Sequence, residues 1–281
     1  MVKIRDIYIE GIKILEKNNI ETPKTDARVI LEFVLGAKSG TLPLYLENDG
    51  EELKEKYFKL ISKRAGHMPC SYITNKREFM ALDFYVEEGV LIPRVETENL
   101  CEYVIDKIKS ENREVKVADI CSGSGCIGLS IAKYCKNAKV SLFDVSDTAI
   151  KVSKINKENL KAENAQIIKK DILKEEIDDE FDFIVSNPPY IPSCDIDTLM
   201  EEVRDYEPKI ALTDGRDGMT FYKRLCEIAK KSLSKNGKLA VEIGINMHND
   251  VNDILKKYGK TEIICDDFGI ERIVVLEKGC F

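Results

Sequence analysis

The segment Asp119-Ile-Cys-Ser-Gly-Ser-Gly-Cys-Ile-Gly128 decides the fold. VKVADI (115–120) precedes it, apolar and β-branched as a buried strand should be, and a helix-like stretch runs on to Cys135. Glycines at 123 and 125 let the backbone turn sharply and approach a ligand, and Gly128 permits close packing of helix on strand. A strand, a glycine-rich turn and a helix in that order make a nucleotide-type cradle, although the G-x-G-x-x-G spacing alone also fits dinucleotide folds.

Downstream of the loop, strands alternate with helices: KVSLFD (139–144), a helix to Leu160, AQIIKKD (165–171), FDFIVSN (181–187), a helix around 218–234, and KLAVEIG (238–244). This order predicts a mainly parallel sheet between helices. TEIICDD (261–267) and ERIVVLEK (271–278) are only three residues apart, so they must pair as an antiparallel hairpin, which departs from the usual dinucleotide dehydrogenase plan. Upstream, apolar residues recur at helical intervals at Ile4, Tyr8, Ile12 and Leu15, at Ala27, Ile30, Leu31, Val34 and Leu35, and at Leu53, Tyr57, Leu60 and Ile61. Thr25 is the expected N-cap of the second helix and Gly36 its stop. After a helix from Pro93 to Lys109 is added, and SYITNKREFMALDFYVE (71–87) is read as β-like, three parts are expected: a helical domain over 1–68, a β-hairpin linker over 69–92, and an α/β domain over 93–281.

Three acids stand at or near strand ends: Asp119, Asp144 and Asp171. A carboxylate only accepts hydrogen bonds, so Asp144 suits a pair of ribose hydroxyls, and Asp171 an adenine amino group with Ile172 packed on the ring. Asp119 would sit badly beside phosphates, and the trio suits an adenosine carrying an amino-acid tail. The fourth parallel strand ends in Ser186-Asn187-Pro188-Pro189-Tyr190. Two prolines lock φ and lack N–H groups, so the segment is rigid and rich in acceptors. The Asn187 side-chain oxygen and the Pro188 carbonyl can together take both hydrogens of a planar NH2 group, with Tyr190 stacked on its plane.

The loop DICSGSGCIG, the acid in SLFD and the segment VSNPPYIP resemble the class I methyltransferases that use S-adenosylmethionine. PCSYITNKREFMALDFYVEEGVLIPRVETE (69–98), VRDYEPKIALTDGRDGMTFYKRL (203–225), LAVEIG (239–244) and DDFGIERIVV (266–275) resemble one branch, the glutamine N5-methyltransferases of peptide chain release factors, the HemK or PrmC family. The resemblance covers nearly all the chain beyond residue 65. It implies a Rossmann-like seven-stranded methyltransferase sheet, with the helical module gripping a class 1 release factor whose GGQ glutamine enters a pocket formed by Asn187, Pro188, Pro189 and Tyr190. S-adenosyl-L-methionine, leaving as S-adenosyl-L-homocysteine, would lie against Asp119, Cys121, Ser122, Gly123, Ser124, Gly125, Asp144, Asp171, Ile172 and Asn187. Two residues depart from the family pattern. Cys121 stands where it usually has its first glycine, and Ile172 where many relatives have an aromatic residue beside the adenine.

The 281 residues carry 43% hydrophobic and 33% charged side chains without a low-complexity tract, which excludes a disordered chain. No apolar run reaches the length of a membrane span, and MVKIRDIYIEGIKIL carries charges where a signal peptide is apolar, so a cytoplasmic monomer is expected. Nine scattered cysteines without a CxxC pair, and only two histidines, predict reduced thiols and no metal site. Residues 1–80 hold 14 basic against 12 acidic side chains, and the remaining 29 against 38 leave residues 81–281 at a net −9. That balance opposes the main rival, a DNA adenine N6-methyltransferase using the same NPPY chemistry on a flipped base, and no nucleic acid partner is expected. A non-catalytic module that holds a cofactor without turnover is the other alternative.

Overall fold

A computed structural model describes residues 2–266 and 268–279; Asp267 at the end of one expected strand, and Cys280, lie outside them. The chain divides into two compact units, one comprising residues up to Lys76 with Met200–Tyr206, the other Arg77–Leu199 with the residues from Glu207 onward.

The first unit is helical. Helices α1 (Ile4–Lys17), α2 (Pro23–Leu35) and α3 (Glu51–Ala65) enclose Ile4, Ile7, Leu15, Ile30, Leu31, Tyr57 and Ile61. Gly36 ends α2 in the left-handed conformation, as its position predicts. Thr25, expected at the N-cap, instead lies within the first turn. The helix starts three residues earlier because Pro23 has the helical φ built in, leaving Thr22 as the cap residue with its hydroxyl donating to Asp26. The buried Asp26 carboxylate also accepts from Arg64 Nε at 2.6 Å, and the same guanidinium pairs with Glu202 at 2.8 Å.

The second unit opens with a two-stranded antiparallel sheet, β1 (Arg77–Phe79) and β2 (Leu82–Phe84). It is shorter than the expected hairpin, since Cys70–Thr74 forms a helical turn that buries Tyr72 and Ile73. The main sheet contains β3 (Val115–Ile120), β4 (Ala138–Asp144), β5 (Ala165–Lys169), β6 (Phe181–Ser186), β7 (Leu233–Glu242), β8 (Gly259–Cys265) and β9 (Glu271–Lys278), in the order β5-β4-β3-β6-β7-β9-β8. The first five strands pair in parallel, and β9 joins β7 and β8 antiparallel, as the short 266–270 connection requires.

Alternation along the strands sends Val117, Phe183, Val185, Ala240 and Val275 to one face and Ala118, Ile184, Leu239, Val241 and Val274 to the other. Both faces are therefore buried, the first under the helices Glu98–Lys109 and Cys126–Tyr134, the second under Thr220–Ser232 and His248–Leu255. The last of these helices has no counterpart in the sequence reading. Among the described residues, no helix is long and apolar enough to cross a membrane, and no group of three or more His, Cys, Asp or Glu side chains is placed to hold a metal ion.

Candidate active site

The chain winds outward in both directions from β3, whose neighbours are β4 and β6, and a crevice opens where the strand order reverses, at the carboxyl ends of the strands. A cavity of about 410 Å3 lies there, within the usual size range of small-molecule sites. It gathers Cys121, Ser122, Gly123 and Ser124 from the turn after β3, Asp144 from the end of β4, Asp171 and Ile172 from the turn after β5, and Asn187 and Pro189 from the turn after β6. Four expected residues, Asp119, Gly125, Pro188 and Tyr190, do not line it.

The glycine loop is folded around its acids. Gly123 N donates to Asp144 Oδ2 at 2.8 Å and Ser146 N to Asp144 Oδ1 at 2.9 Å. Burial raises the Asp144 pKa above the ordinary carboxylate value, and the backbone donors of Ser146, Gly123 and Val145 oppose the rise. Cys121 takes a left-handed φ of 61°, so the chain keeps here a conformation that glycine adopts without strain. Burial and the Asp144 and Asp119 carboxyls push its thiol well up, leaving it neutral. Ser122 Oγ, buried in the lining, has no partner among the described residues.

Asp119 lies beneath this loop. It is fully buried, and its Oδ2 accepts from Gly128 N at 2.8 Å while Oδ1 has no partner among the described residues. Desolvation, opposed by the Gly128 N–H and reinforced by Asp144, raises its pKa to about 7. The sequence reading set Asp119 beside the ligand; the sheet and the helix behind it cover the side chain completely. Gly125, at φ 80°, caps that helix, and a Cβ there would fall 2.9 Å from Leu129 Cδ1 and 3.1 Å from Leu142 Cδ2.

β5 ends at Lys169, so Asp171 lies in the following turn, where Lys174 at 2.8 Å holds its pKa down. Ile172 is buried, and its carbonyl accepts from Arg224 Nε at 2.6 Å. At the end of β6, Ser186 Oγ donates to Ile120 O at 2.6 Å, and Asn187 Nδ2 donates to Thr97 Oγ1 at 3.2 Å. Tyr190 turns away from the cavity, its ring 3.1 Å from where a Cβ on Gly244 would stand, and burial raises its phenol pKa.

Within the wall formed by Gly89, Val90, Leu91, Pro93, Arg94 and Thr97, the sequence singles out Arg94, with Glu96, as either ordering a lid or substrate loop or forming a structural ion pair; the other wall residues of this segment, Phe143 and Asp214 were missed. Asn156 was missed too; it donates to Tyr85 O and Ser124 O, both at 2.9 Å, and ties the segment after the small sheet to the glycine loop. Arg94, in the wall, pairs at 2.6 Å with Glu207, whose side chain is 1% exposed. Asp214 gathers the backbone N–H groups of Arg216, Gly218 and Thr220 at 2.8–3.0 Å, and so shapes the loop that abuts Tyr190. For this last set the sequence signal is an Asp followed by two glycines in TDGRDG.

The family described as Methyltransferase small domain matches residues 97–203, and the PrmC N-terminal domain matches residues 6–74. The chain is 44% identical to the release factor glutamine methyltransferase of Clostridium acetobutylicum, over 99% of both chains, and 39% identical to that of Clostridium botulinum, over 98% of this chain and 99% of the relative. Among solved structures, a methyltransferase from Pyrococcus furiosus shares the fold, with a TM-score of 0.53 at 20% identity over 72% of this chain and 91% of that one. On the strength of identity running end to end through both units, the chain belongs to the release factor glutamine methyltransferase family.

Proposed function

We propose that this protein transfers a methyl group from S-adenosyl-L-methionine to the side-chain amide nitrogen, N5, of the glutamine in the GGQ motif of class 1 peptide chain release factors. The observation that carries the reading is one cavity in which Asn187 and Pro189, from an acceptor-rich turn, face the glycine loop and Asp144.

The residues present fit the cofactor. An acceptor-only carboxylate at the end of β4, a buried Ser122 hydroxyl with no partner, and a loop whose left-handed backbone lets a ligand approach together suit an adenosine with a polar tail. Asp144 would accept from the ribose, Ile172 and Asp171 would border the adenine, and Cys121 to Ser124 would border the tail. S-adenosylmethionine, when bound, supplies an electrophilic sulfonium methyl group.

An amide nitrogen is a poor nucleophile because its lone pair is delocalised. Asn187 Oδ1 and the Pro188 carbonyl would accept its two hydrogens, raise electron density on nitrogen and fix its face toward the methyl group. Asn187 spends its Nδ2 on Thr97, so Oδ1 is left for this task. No base is needed before transfer, since the methylated, still protonated amide is strongly acidic. Tyr190 would act from behind, as a rigid wall. The helical unit would hold the release factor away from the reacting atoms, and the protein would act as a cytoplasmic monomer.

The test is incubation with labelled S-adenosylmethionine and, in separate reactions, a release factor, its Gln-to-Ala loop variant, and duplex DNA. Label is expected on the native factor alone. Label on DNA would turn the reading toward a base methyltransferase, which the net −9 of residues 81–281 disfavours. Cofactor binding without any transfer would refute catalysis. Asn187→Ala should keep cofactor affinity while kcat falls about 100- to 1,000-fold.

A further inference from the structure

We infer that Glu242 is a positioning residue: with Thr97 it holds the Asn187 carboxamide in the single orientation that turns Oδ1 to the substrate. The inference rests on the role given to Asn187 above and adds a residue that touches neither substrate nor cofactor.

β6 and β7 run parallel with Ser186 opposite Val241, so the next residues along, Asn187 in the cavity wall and the buried Glu242, follow side by side. The Glu242 backbone is pinned by the Tyr222 hydroxyl, which donates to its carbonyl at 2.8 Å, and by pairing with Ile273 in β9. Its side chain is buried, Oε2 has no hydrogen-bonding partner among the described residues, and the neighbouring polar groups that favour its charged form are Thr97 and Asn187, themselves joined by the Asn187 Nδ2–Thr97 Oγ1 hydrogen bond. Burying a carboxylate is costly, and the nearby cation Arg272 is engaged at 3.0 Å with Asp266. Packing alone would be met as well by an uncharged side chain.

What the carboxylate adds is direction. It can only accept, so the Asn187 NH2 must face it and Oδ1 must face the cavity. A protonated Glu242, or a glutamine, can also donate to Oδ1. The Asn187 amide could then turn over and present its own NH2 to the NH2 of the substrate, donor against donor.

Burial above all raises the Glu242 pKa from 4.5 to about 7; Thr97, Arg272 and Asn187 pull it down and Glu96 pushes it up. Of the other titratable groups around it, Tyr190, Tyr222, Cys101 and Cys126 all have raised pKa values and stay neutral across this range. The orienting charge is thus present above about pH 7 and lost below it.

The experiment compares wild type with Glu242→Gln, measuring kcat for methyl transfer to a release factor and cofactor affinity between pH 5.5 and 9. In parallel, the Asn187 side-chain 15N resonance, assigned by its loss in Asn187→Ala, is followed over the same range without substrate. Wild-type kcat should fall about tenfold per pH unit below pH 7. Glu242→Gln should bind cofactor as wild type does, show kcat about 10- to 100-fold lower at pH 8.5, and lack the acid limb. The Asn187 resonance should titrate near pH 7 in wild type and stay fixed in the variant. Glu242→Gln turnover within threefold of wild type, an acid limb that persists in the variant, or an Asn187 resonance that does not titrate in wild type would each overturn the inference. The wild-type titration needs no turnover. A wild type that labels no release factor while its Asn187 titrates would defeat the proposed activity and leave the orienting role of Glu242 standing.

Discussion

Gly218→Ala should separate the shape of the acceptor corner from the stability of the fold. Gly218 has φ 80°, and a Cβ there would fall 2.1 Å from the Tyr190 carbonyl oxygen and 2.9 Å from its carbon. To restore an ordinary contact, the gap must open from 2.1 Å to about 3.4 Å, a movement of about 1.3 Å in a backbone only three residues from Asn187. The left-handed dihedral costs a non-glycine residue about 1–2 kcal/mol and the overlap about 1–3 kcal/mol more. For a unit of this size, the two together lower Tm by about 5–15 °C. A misplacement of about 1 Å costs roughly 100-fold in rate, so kcat should fall by that factor while cofactor affinity holds, because the cofactor-facing loop after β3 is untouched. Gly215→Ala is the control. Gly215 lies in the same loop at φ 75°, yet a Cβ there meets nothing within 4 Å. It pays the dihedral cost alone, and its kcat should stay within threefold of wild type. Thermal unfolding and steady-state methyl transfer on both variants check the argument. If Gly218→Ala turns over as fast as Gly215→Ala, the corner does not need the position it occupies.

Asp144→Asn should weaken cofactor binding about 10- to 100-fold by calorimetry with kcat at saturation near wild type, because the Asn would turn an NH2 toward a site that needs an acceptor; an unchanged Kd refutes the ribose role. Asp119 has a pKa raised from 3.8 to about 7 by burial, so the folded state holds its proton more tightly than the unfolded state, and the stability this confers is lost as pH rises from about 4 through about 7. Asp119→Asn cannot lose that proton, and its stability relative to wild type should climb over that window in urea denaturation; a flat difference refutes the assignment. Arg64→Met leaves the Asp26 carboxylate buried and unpaired, and should cost the helical unit about 3–5 kcal/mol by hydrogen exchange, with part recovered in the Arg64→Met, Asp26→Asn double variant.

Much of the α/β unit was legible because its signals are local. Every expected strand of the main sheet forms, since each is a short apolar run between turn residues, and the three-residue gap dictates the final hairpin. The helix His248–Leu255 was not legible: it is eight residues long and begins among Asn and Asp side chains that read as a loop. Nor was the tight turn of the small sheet. Met80 and Ala81 both sit at positive φ, where Asn-Gly would have announced the turn, and the conformation is held from outside by Glu98 accepting from Met80 N at 2.6 Å.

The acids show why one strand-end carboxylate reaches the cavity and its neighbour does not. Asp144 is the last residue of β4 and projects past the sheet into the crevice, whereas Asp119 stops one residue short of the end of β3, opposite Leu142, and is sealed in. A slip of one residue moves a carboxylate from cavity lining to buried scaffold. For the acceptor corner the distinction runs through distant chain. Asn187, Pro188 and Pro189 are contiguous and visible in any sequence, but Thr97, Gly218 and Glu242, which set their direction, come from three separate segments up to 90 residues away. Local spacing can announce that acceptors are present. Only the sheet order, which brings the ends of β6 and β7 together, determines which way they point, so the orienting residues and not the motif are where variants should separate binding from transfer.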